Sequence, residues 1–424
     1  MARPLYDRLK EYADKVKARF CMPGHSGIDV EEERLFSASV FDWTEVEGLD
    51  NLLDSSEVIL QSEKNLAKRY GYKHALMLTE GATIAMQIAI NVAKRLSENV
   101  VAYGDMHKSF WSACSLFNLK VFIADNLDEL QSLAKEKNIG GIFVTSPDYF
   151  GNVKNLKDLS DMAKKIGALL IVDEAHSAHF VYSSLLPDNA HEYADIALVG
   201  MHKTLPVFGG GGMIGINGEK IYEECRMIRA MLHSTSPSYL IMASIDYGLD
   251  LMERKGEMYY AELKKRVQDF SQKLKKGKVL DTRDFSRVVI KFEGKDCYEL
   301  NHILSQKGIF AETAYGDTLV LIVTPFNMDK LDMLADVLDN IKLNDSEKFV
   351  LPTLKHQDVL GSEIELVDIL DAEGRQCGGE IGIYPPGVPV IHKGDIFDEE
   401  AVLFVKKYKN RLFGLASGKV AVIK

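Results

Sequence analysis

The chain has 424 residues, 46% hydrophobic and 27% charged, a balance that excludes a mainly disordered chain, a collagen and a coiled-coil rod. Asp and Glu (62) outnumber Lys and Arg (51), and the resulting formal charge of −11 argues against general affinity for nucleic acid or an anionic membrane. The five cysteines are widely spaced, the N-terminus is polar, and no apolar run reaches the length of about 18 residues that a spanning helix needs. These features predict a cytoplasmic protein without disulfides or structural zinc.

Short apolar runs alternate with helical patterns through the first half of the chain. The segment 155–166 has its apolar residues at helical spacing. Six apolar runs are predicted to be strands: 99–103, 120–124, 141–145, 168–173, 196–199 and 212–216. This alternation predicts a mostly parallel sheet covered on both faces, with a ligand site at the carboxyl ends of the strands.

The second half of the chain shows two further patterns of predicted secondary structure. A long helix is predicted over 237–275, followed by a strand, a helix and a strand at 287–293, 298–307 and 318–324, which indicates a smaller α/β domain. Short strands and turns follow residue 351. The predicted units are an N-terminal segment 1–50, a large domain 51–245, a small α/β domain 246–345 and a C-terminal domain 346–424.

Two of the predicted strands end near residues whose side chains could take part in catalysis. Asp173 closes the strand 168–173, and Lys203 follows the strand 196–199. A lysine there can form a Schiff base with a carbonyl cofactor, and an acid can keep a pyridine nitrogen protonated. Each residue alone is as readily a surface side chain, but their order on successive strands favours pyridoxal phosphate. The nearby pair His176 and His179 has no further ligand cluster close in sequence, so no metal site is predicted.

A cradle for the cofactor phosphate is predicted where Gly81-Ala82-Thr83 opens a helix after an apolar run. Glycine allows close approach, and a helix N-terminus offers free N–H groups and a positive dipole end. The same string is also compatible with a plain helix cap. His107 ends the next strand and is predicted either to stack on the cofactor ring or to be an ordinary strand-end histidine.

These motifs lead to a resemblance. The chain resembles the fold-type-I pyridoxal-phosphate enzymes and, within them, the bacterial ornithine/lysine/arginine decarboxylase family, without the N-terminal wing domain of its large members. The segments that carry it are Pro23-Gly24-His25, Gly81-Ala82-Thr83, His107-Lys108-Ser109, Asp173-Glu174-Ala175-His176, His202-Lys203-Thr204-Leu205-Pro206, Ser234-Thr235-Ser236-Pro237-Ser238-Tyr239 and Tyr384-Pro385-Pro386-Gly387-Val388-Pro389. The resemblance implies a large, mostly parallel-sheet domain of the aspartate-aminotransferase type, a smaller α/β domain and a C-terminal α+β domain.

The resemblance also implies roles for individual residues. Lys203 would hold pyridoxal phosphate as an internal aldimine, Asp173 would pair with the pyridinium nitrogen, and His107 would stack above the ring. Further cofactor contacts are implied for Gly81, Ala82, Thr83, Ala175 and His202, with Lys203 or His202 returning a proton to Cα. The active sites would be shared in a homodimer, where Ser234 and Thr235 reach the phosphate of the partner's cofactor. Substrate contacts are implied for Tyr384 and for Asp395, a candidate partner for the distal cation of the substrate.

The sequence departs from the family pattern at several positions. Gly200 replaces a serine that donates to the phosphate. Asp148 stands where the family usually has threonine near the substrate. This extra carboxylate is predicted to contact a cationic substrate side chain, or else to repel the phosphate. The four-glycine run 209–212 is expected to loosen the lysine loop or to make room for a bulkier substrate.

The predicted function is decarboxylation of lysine, arginine or ornithine to the corresponding amine, through a Lys203 aldimine and a quinonoid intermediate, with a place in polyamine biosynthesis. Another fold-type-I reaction (aminotransfer, elimination or aldol cleavage) is an open alternative, because the orientation of the Cα bonds decides the outcome. A non-catalytic regulatory relative is the third possibility, although the presence of Lys203 and Asp173 argues against it.

Overall fold

The computed structural model describes residues 3–15, 39–345, 352, 363–383 and 387–424. Its helices are α1 (Pro4–Lys15), α2 (Val58–Tyr70), α3 (Gly81–Lys94), α4 (Lys108–Leu116), α5 (Leu127–Glu136), α6 (Leu156–Ile166), α7 (Glu219–Leu232), α8 (Tyr239–Lys273), α9 (Cys297–Gln306), α10 (Leu331–Asn340) and α11 (Glu399–Tyr408). None of the helices within these residues combines the length and the apolar character that a membrane crossing demands.

The strands form four sheets. They are β1 (His74–Leu78), β2 (Asn99–Tyr103), β3 (Lys120–Ala124), β4 (Gly141–Thr145), β5 (Leu169–Asp173), β6 (Ile196–Val199), β7 (Gly212–Ile216), β8 (Lys278–Val279), β9 (Arg287–Lys291), β10 (Thr313–Tyr315), β11 (Thr318–Ile322), β12 (Ile364–Val367), β13 (Ile381–Ile383), β14 (Val388–Ile391), β15 (Leu412–Phe413) and β16 (Val420–Ile423).

The largest sheet has seven strands in the order β1-β7-β6-β5-β4-β2-β3. Strands β2 to β6 pair in parallel, and β7 is antiparallel to both of its neighbours. Helices cover both faces, and the central strands are buried on both sides, as their continuous apolar runs require. The predicted mostly parallel sheet is confirmed; five of the six predicted strands have the predicted bounds, and β5 begins one residue later.

Helix α8 links the large sheet to the small one. It has 35 residues and begins where the Ser238 side chain accepts a hydrogen bond from the backbone amide of Ile241. It runs without a break across the predicted boundary between residues 245 and 246, and the domain boundaries stay a prediction. The sheet that follows is antiparallel, in the order β10-β11-β9-β8.

The C-terminal region packs α11 against the sheets β12-β16 and β14-β13-β15 around its own apolar core. It contacts α4 of the large domain. The Lys108 amide donates to the Gly387 carbonyl at 2.8 Å, and the Trp111 ring lies 4.2 Å from the His392 ring. These contacts place the C-terminal region beside the carboxyl ends of the parallel strands, where α4 begins.

Candidate active site

A cleft of about 1170 Å³ lies at the carboxyl ends of the parallel strands. Its walls come from three parts of the chain: the loops after the strands of the large sheet, Glu312 and Tyr315 of the small sheet region, and Ile383 and residues 388–390 of the C-terminal region. This is the position at which parallel α/β sheets bind ligands.

Asp173 is the acidic group of the cleft floor. It is the last residue of β5 and is 6% exposed. Its Oδ1 accepts a hydrogen bond from the Ala175 amide at 3.1 Å, and no described residue is seen to bond Oδ2. Burial raises the pKa of Asp173, although the Lys203 cation and the Ala175 amide oppose this effect. A half-satisfied buried carboxylate is suited to pair with a cationic or protonated group in the cleft.

Lys203 ends the short 3₁₀ helix Met201–Lys203 that follows β6. Its Nζ lies 3.2 Å from His176 Nε2. Burial lowers the pKa of Lys203 below its ordinary value and the Arg287 cation adds to this shift, while the anions Asp173 and Glu312 oppose it. A lysine with a lowered pKa has more of the neutral, nucleophilic amine at neutral pH.

His176 connects this lysine to a buried arginine. Its Nδ1 lies 2.7 Å from Nη2 of Arg287, and the edge of its ring meets Tyr149, with 5.3 Å between ring centroids. Burial, followed by the cations of Lys203 and Arg287, holds the pKa of His176 well below its ordinary value. The ring is therefore neutral at physiological pH.

The N-terminus of α3 forms the far end of the cleft. Gly81, with φ of +70°, turns the chain out of β1 and donates its amide to the Gly210 carbonyl at 2.6 Å. No side chain among the described residues caps the helix, so the N–H groups of the cleft residues Ala82 and Thr83, in its first turn, have no side-chain acceptor. His202 is fixed beside this end because its Nδ1 lies 2.8 Å from the Gly211 carbonyl.

Three of the four glycines in the run 209–212 are closely packed, whereas a Cβ atom on Gly209 would meet nothing within 4 Å. A Cβ atom on Gly210, which has φ of +93°, would lie 2.7 Å from the Thr79 carbonyl oxygen. One on Gly211 would lie 2.4 Å from Val207 Cγ1. The expectation of a loosened loop was wrong, because Gly210 and Gly211 allow the backbone to approach the end of β1 and the lysine loop closely. Room for a bulkier substrate stays a prediction. Gly200 follows the same rule, since its Cβ would lie 2.8 Å from the Ala175 carbonyl oxygen, and this backbone leaves no room for serine.

His107 caps α4 at the cleft wall. Its Nδ1 accepts from the Ser109 amide at 3.2 Å and lies 2.9 Å from the Ser109 hydroxyl. Burial, assisted by the Lys203 and Lys108 cations, lowers the pKa of His107 to about 4. A neutral aromatic ring is thus held over the cleft.

Three acidic residues have different surroundings. Asp148 lines the cleft, but its oxygens accept from the amides of Phe150 and Asn152 and from the Asn152 side chain, at 2.9 to 3.0 Å. Asp395 is 5% exposed, accepts from the His392 amide at 2.7 Å and does not line the cleft. Glu312 lines the cleft, where the Tyr149 hydroxyl donates to its Oε1.

The structure brings most of the sequence-predicted site residues together. Those that line the cleft are Gly81, Ala82, Thr83, His107, Asp148, Asp173, Ala175, His202 and Lys203. Ser234 and Thr235 are exposed and lie outside its lining, although the Ser234 amide donates to Glu80 Oε1 at 2.9 Å. Tyr384 falls outside the described residues.

Sequence reasoning missed four residues of this region: Tyr149, His176, Arg287 and Glu312. His176 lies inside the string that identified Asp173, and its position after a strand end was the available signal. Arg287 and Glu312 meet partners 111 and 163 residues away in the chain, and no local pattern marks them. The neighbouring His179 does not face the cleft; its Nε2 lies 3.1 Å from Asp284 Oδ1 in a fully buried pair.

Pyridoxal phosphate fits this set of groups. The uncapped N-terminus of α3 suits a phosphate, the open oxygen of Asp173 suits a protonated ring nitrogen, and Lys203 supplies the amine. A flat neutral ring at His107 suits stacking.

Comparison with known proteins agrees with this fit. The family model of the Orn/Lys/Arg decarboxylase major domain matches residues 3–123 and 117–334. The uncharacterized protein YaaO of Bacillus subtilis is 27% identical over 95% of this chain and 93% of its own length. An arginine decarboxylase of the same organism is 24% identical, over 97% of this chain and 94% of its own length. The lysine decarboxylase LdcF of Francisella novicida superposes with a TM-score of 0.81 at 18% identity, over 100% of this chain and 81% of its own, which confirms the predicted fold.

Proposed function

Since the chain belongs to the Orn/Lys/Arg decarboxylase family and is a pyridoxal-phosphate-dependent amino-acid decarboxylase, we propose that its substrate is a basic amino acid. The candidates are lysine, arginine and ornithine, each converted to the corresponding amine. Two curated relatives named arginine decarboxylase support a basic substrate. The choice among the three amino acids is left to product analysis.

The observation that carries the proposal is the position of Glu312. Its half-buried carboxylate shares the cleft with Lys203 and is oriented by the Tyr149 hydroxyl. A carboxylate held in a partly desolvated cleft attracts a cation more strongly than one in water. We assign to Glu312 the binding of the distal cation of the substrate. The sequence predicted this role for Asp395 by resemblance and for Asp148 as an extra carboxylate in place of the family's threonine.

The residues present divide the work of the reaction. The N–H groups at the start of α3, with Thr83 and His202, would hold the cofactor phosphate, and His107 would cover the ring. Asp173 would hold a proton at the ring nitrogen. When bound, the cofactor supplies a sink for the electron pair left at Cα as the carboxylate departs. Lys203 would be the covalent anchor, and Lys203 or His202 would carry a proton to Cα.

We also propose that two copies of the chain share their active sites. Ser234 and Thr235 are exposed at the end of α7, where Met227 and Met231 are 49% and 70% exposed. The bond from the Ser234 amide to Glu80 fixes this segment next to the start of α3. Mixing a Lys203→Ala chain with a Ser234→Ala/Thr235→Val chain tests the arrangement, since one intact site can form only if each partner supplies a different part. No recovery of activity in the mixture would contradict shared sites.

The substrate is tested by supplying each amino acid with an isotopic label in its carboxyl group. We expect labelled carbon dioxide and the matching amine from at least one basic amino acid, and none from Lys203→Ala. A keto acid without labelled carbon dioxide would instead support aminotransfer, and no turnover of any of the three would overturn the proposed substrate class.

Glu312→Gln is expected to raise the KM for the basic substrate about 10- to 100-fold, which corresponds to one charge-assisted hydrogen bond. Tyr149→Phe removes only the orienting hydroxyl and should have a smaller effect. Asp148→Asn is the matched control, because Asp148 lines the same cleft but spends its oxygens on its own loop. A KM effect in Asp148→Asn with none in Glu312→Gln would return the role to Asp148.

A further inference from the structure

Arg287 is a buried cation that donates a hydrogen bond to a histidine ring. It is 1% exposed at the start of β9, and a buried guanidinium is costly unless it is paired. Its Nη2 donates to Nδ1 of His176 at 2.7 Å, while Nε and Nη1 have no partner in the part of the chain that the structure describes. The buried anion three residues earlier, Asp284, directs its Oδ1 to His179 and Ser286. Arg287 therefore directs a hydrogen bond to the ring that contacts the cofactor lysine.

This contact determines which nitrogen of His176 carries the proton. A guanidinium has donors and no acceptor, so the nitrogen facing it, Nδ1, must accept. The neutral ring then has its hydrogen on Nε2. Nε2 lies 3.2 Å from Lys203 Nζ, and its N–H can donate only to the lone pair of a neutral amine. An ammonium group has no lone pair, so this arrangement favours the uncharged form of Lys203.

We propose that Arg287 is a positioning residue that fixes His176 as the Nε2–H tautomer and, through that ring, keeps Lys203 as a free amine ready to react with the cofactor. In that reaction the amine nitrogen attacks the aldehyde carbon, a C=N bond forms, and the aldehyde oxygen leaves as water. The inference rests on the proposed role of Lys203 as the covalent anchor.

Other charges also face these groups. The anions Asp173 and Glu312 and the Arg287 cation act directly on Lys203, and Lys203 in turn acts on His107. His176 faces the rings of His107 and His179. The two anions favour the ammonium form of Lys203, so they act against the contribution assigned to His176, and the experiment must separate the two by comparing variants.

The tautomer is measured directly in the wild-type protein. Two-bond ¹H–¹⁵N correlation spectra of the ¹⁵N-histidine-labelled apoprotein distinguish Nδ1–H from Nε2–H, and His176→Gln assigns the signal. We expect the Nε2–H pattern. An Nδ1–H or doubly protonated ring at pH 7 would overturn the proposal, and the pattern itself is read from the wild-type protein.

The protonation state of Lys203 is measured through the pH dependence of cofactor uptake. Uptake is monitored by the absorbance that appears when pyridoxal phosphate is added to the apoprotein. Arg287→Met is expected to move the midpoint upward by about one pH unit, the equivalent of one hydrogen bond. Arg283→Met removes an exposed arginine from the loop that precedes β9 and should leave the midpoint unchanged. In a His176→Gln background, Arg287→Met should cause a smaller shift, because the ring is absent and only the direct field of the guanidinium on Lys203 is lost.

An equal shift in the two backgrounds would show that Arg287 acts through its own charge, and the proposal would be wrong. Failure of the proposed function has a different signature. In that case no basic amino acid releases carbon dioxide. The tautomer of His176 and the uptake midpoints can still be measured, because neither measurement needs a substrate.

Discussion

Glu174 follows Asp173 directly, yet the two buried carboxylates have different surroundings. Glu174 is 2% exposed; it accepts from the Tyr72 hydroxyl at 2.9 Å and from the Ala190 amide at 2.8 Å. Burial raises its pKa from 4.5 to about 7. Because the folded-state pKa lies above the unfolded value, the stability that Glu174 contributes is complete below the unfolded pKa and is lost as the pH rises through about 7.

Glu174→Gln should remove this pH dependence. We expect the wild type to lose up to about 3 kcal/mol of stability, relative to the variant, between pH 5 and pH 8. The measurement is urea unfolding of both apoproteins across this range. Parallel stability curves for the two proteins would contradict the assignment of a raised pKa to Glu174.

Gly200 gives a second prediction at the scale of one residue. Gly200→Ser restores the residue typical of the family, but its Cβ would lie 2.8 Å from the Ala175 carbonyl oxygen. The lysine loop must shift to relieve this contact, so we expect weaker binding of pyridoxal phosphate, measured by equilibrium dialysis. Gly209→Ser is the control, since a Cβ atom there meets nothing within 4 Å. Tighter binding in Gly200→Ser would mean that the added hydroxyl reaches the phosphate after all.

The attachment of α1 depends on one buried carboxylate of α8. Asp246 Oδ2 accepts from the Leu5 amide at 2.8 Å and from the Ser62 hydroxyl at 2.9 Å, which joins α1, α2 and α8. Asp246→Ala leaves these donors unsatisfied, at a cost of about 1–3 kcal/mol for each buried group. We expect faster hydrogen exchange in α1 in this variant. Asp246→Asn keeps an acceptor oxygen and should retain most of the protection.

How much of the fold could be predicted differs between elements. The strands of the large sheet have continuous apolar runs because both of their faces are buried, and their bounds follow from sequence. The site residues at their ends were predicted with them. Arg287 and Glu312 were not, since their roles come from contacts made when the small sheet packs on the large one. The packing of the glycine run could not be predicted either, because it depends on which backbone lies opposite.

At the scale of the whole molecule, the contact between Trp111 and His392 reports whether the C-terminal region is docked. Burial lowers the pKa of His392, but Glu380, whose Oε2 lies 2.8 Å from its Nδ1, and Asp395 raise it above the ordinary value overall. A protonated imidazole in contact with an indole quenches its fluorescence. With Trp43 replaced by Phe, we expect the Trp111 emission to fall as the pH drops through the pKa of His392.

His392→Asn should abolish this pH-dependent quenching without changing the emission at high pH. An unquenched, red-shifted Trp111 at every pH would mean that the C-terminal region does not cover α4 in solution. The cleft would then lack the wall formed by Ile383 and residues 388–390.

The place of β1 in the large sheet has a consequence for the order of folding. In that sheet β1 pairs with β7 and with no other described strand, although the two are distant in sequence. Strands β2 to β7 can associate before β1 joins them, since the connections between them are shorter than the stretch of chain between β1 and β7. Such an intermediate would contain Asp173 and Lys203 but would lack the start of α3, which follows β1 and is held by Gly210. We therefore expect a refolding chain to form its aldehyde-reactive lysine before it gains affinity for a phosphate. Early in refolding, the chain should bind unphosphorylated pyridoxal as well as pyridoxal phosphate. The preference for the phosphate ester should appear only later.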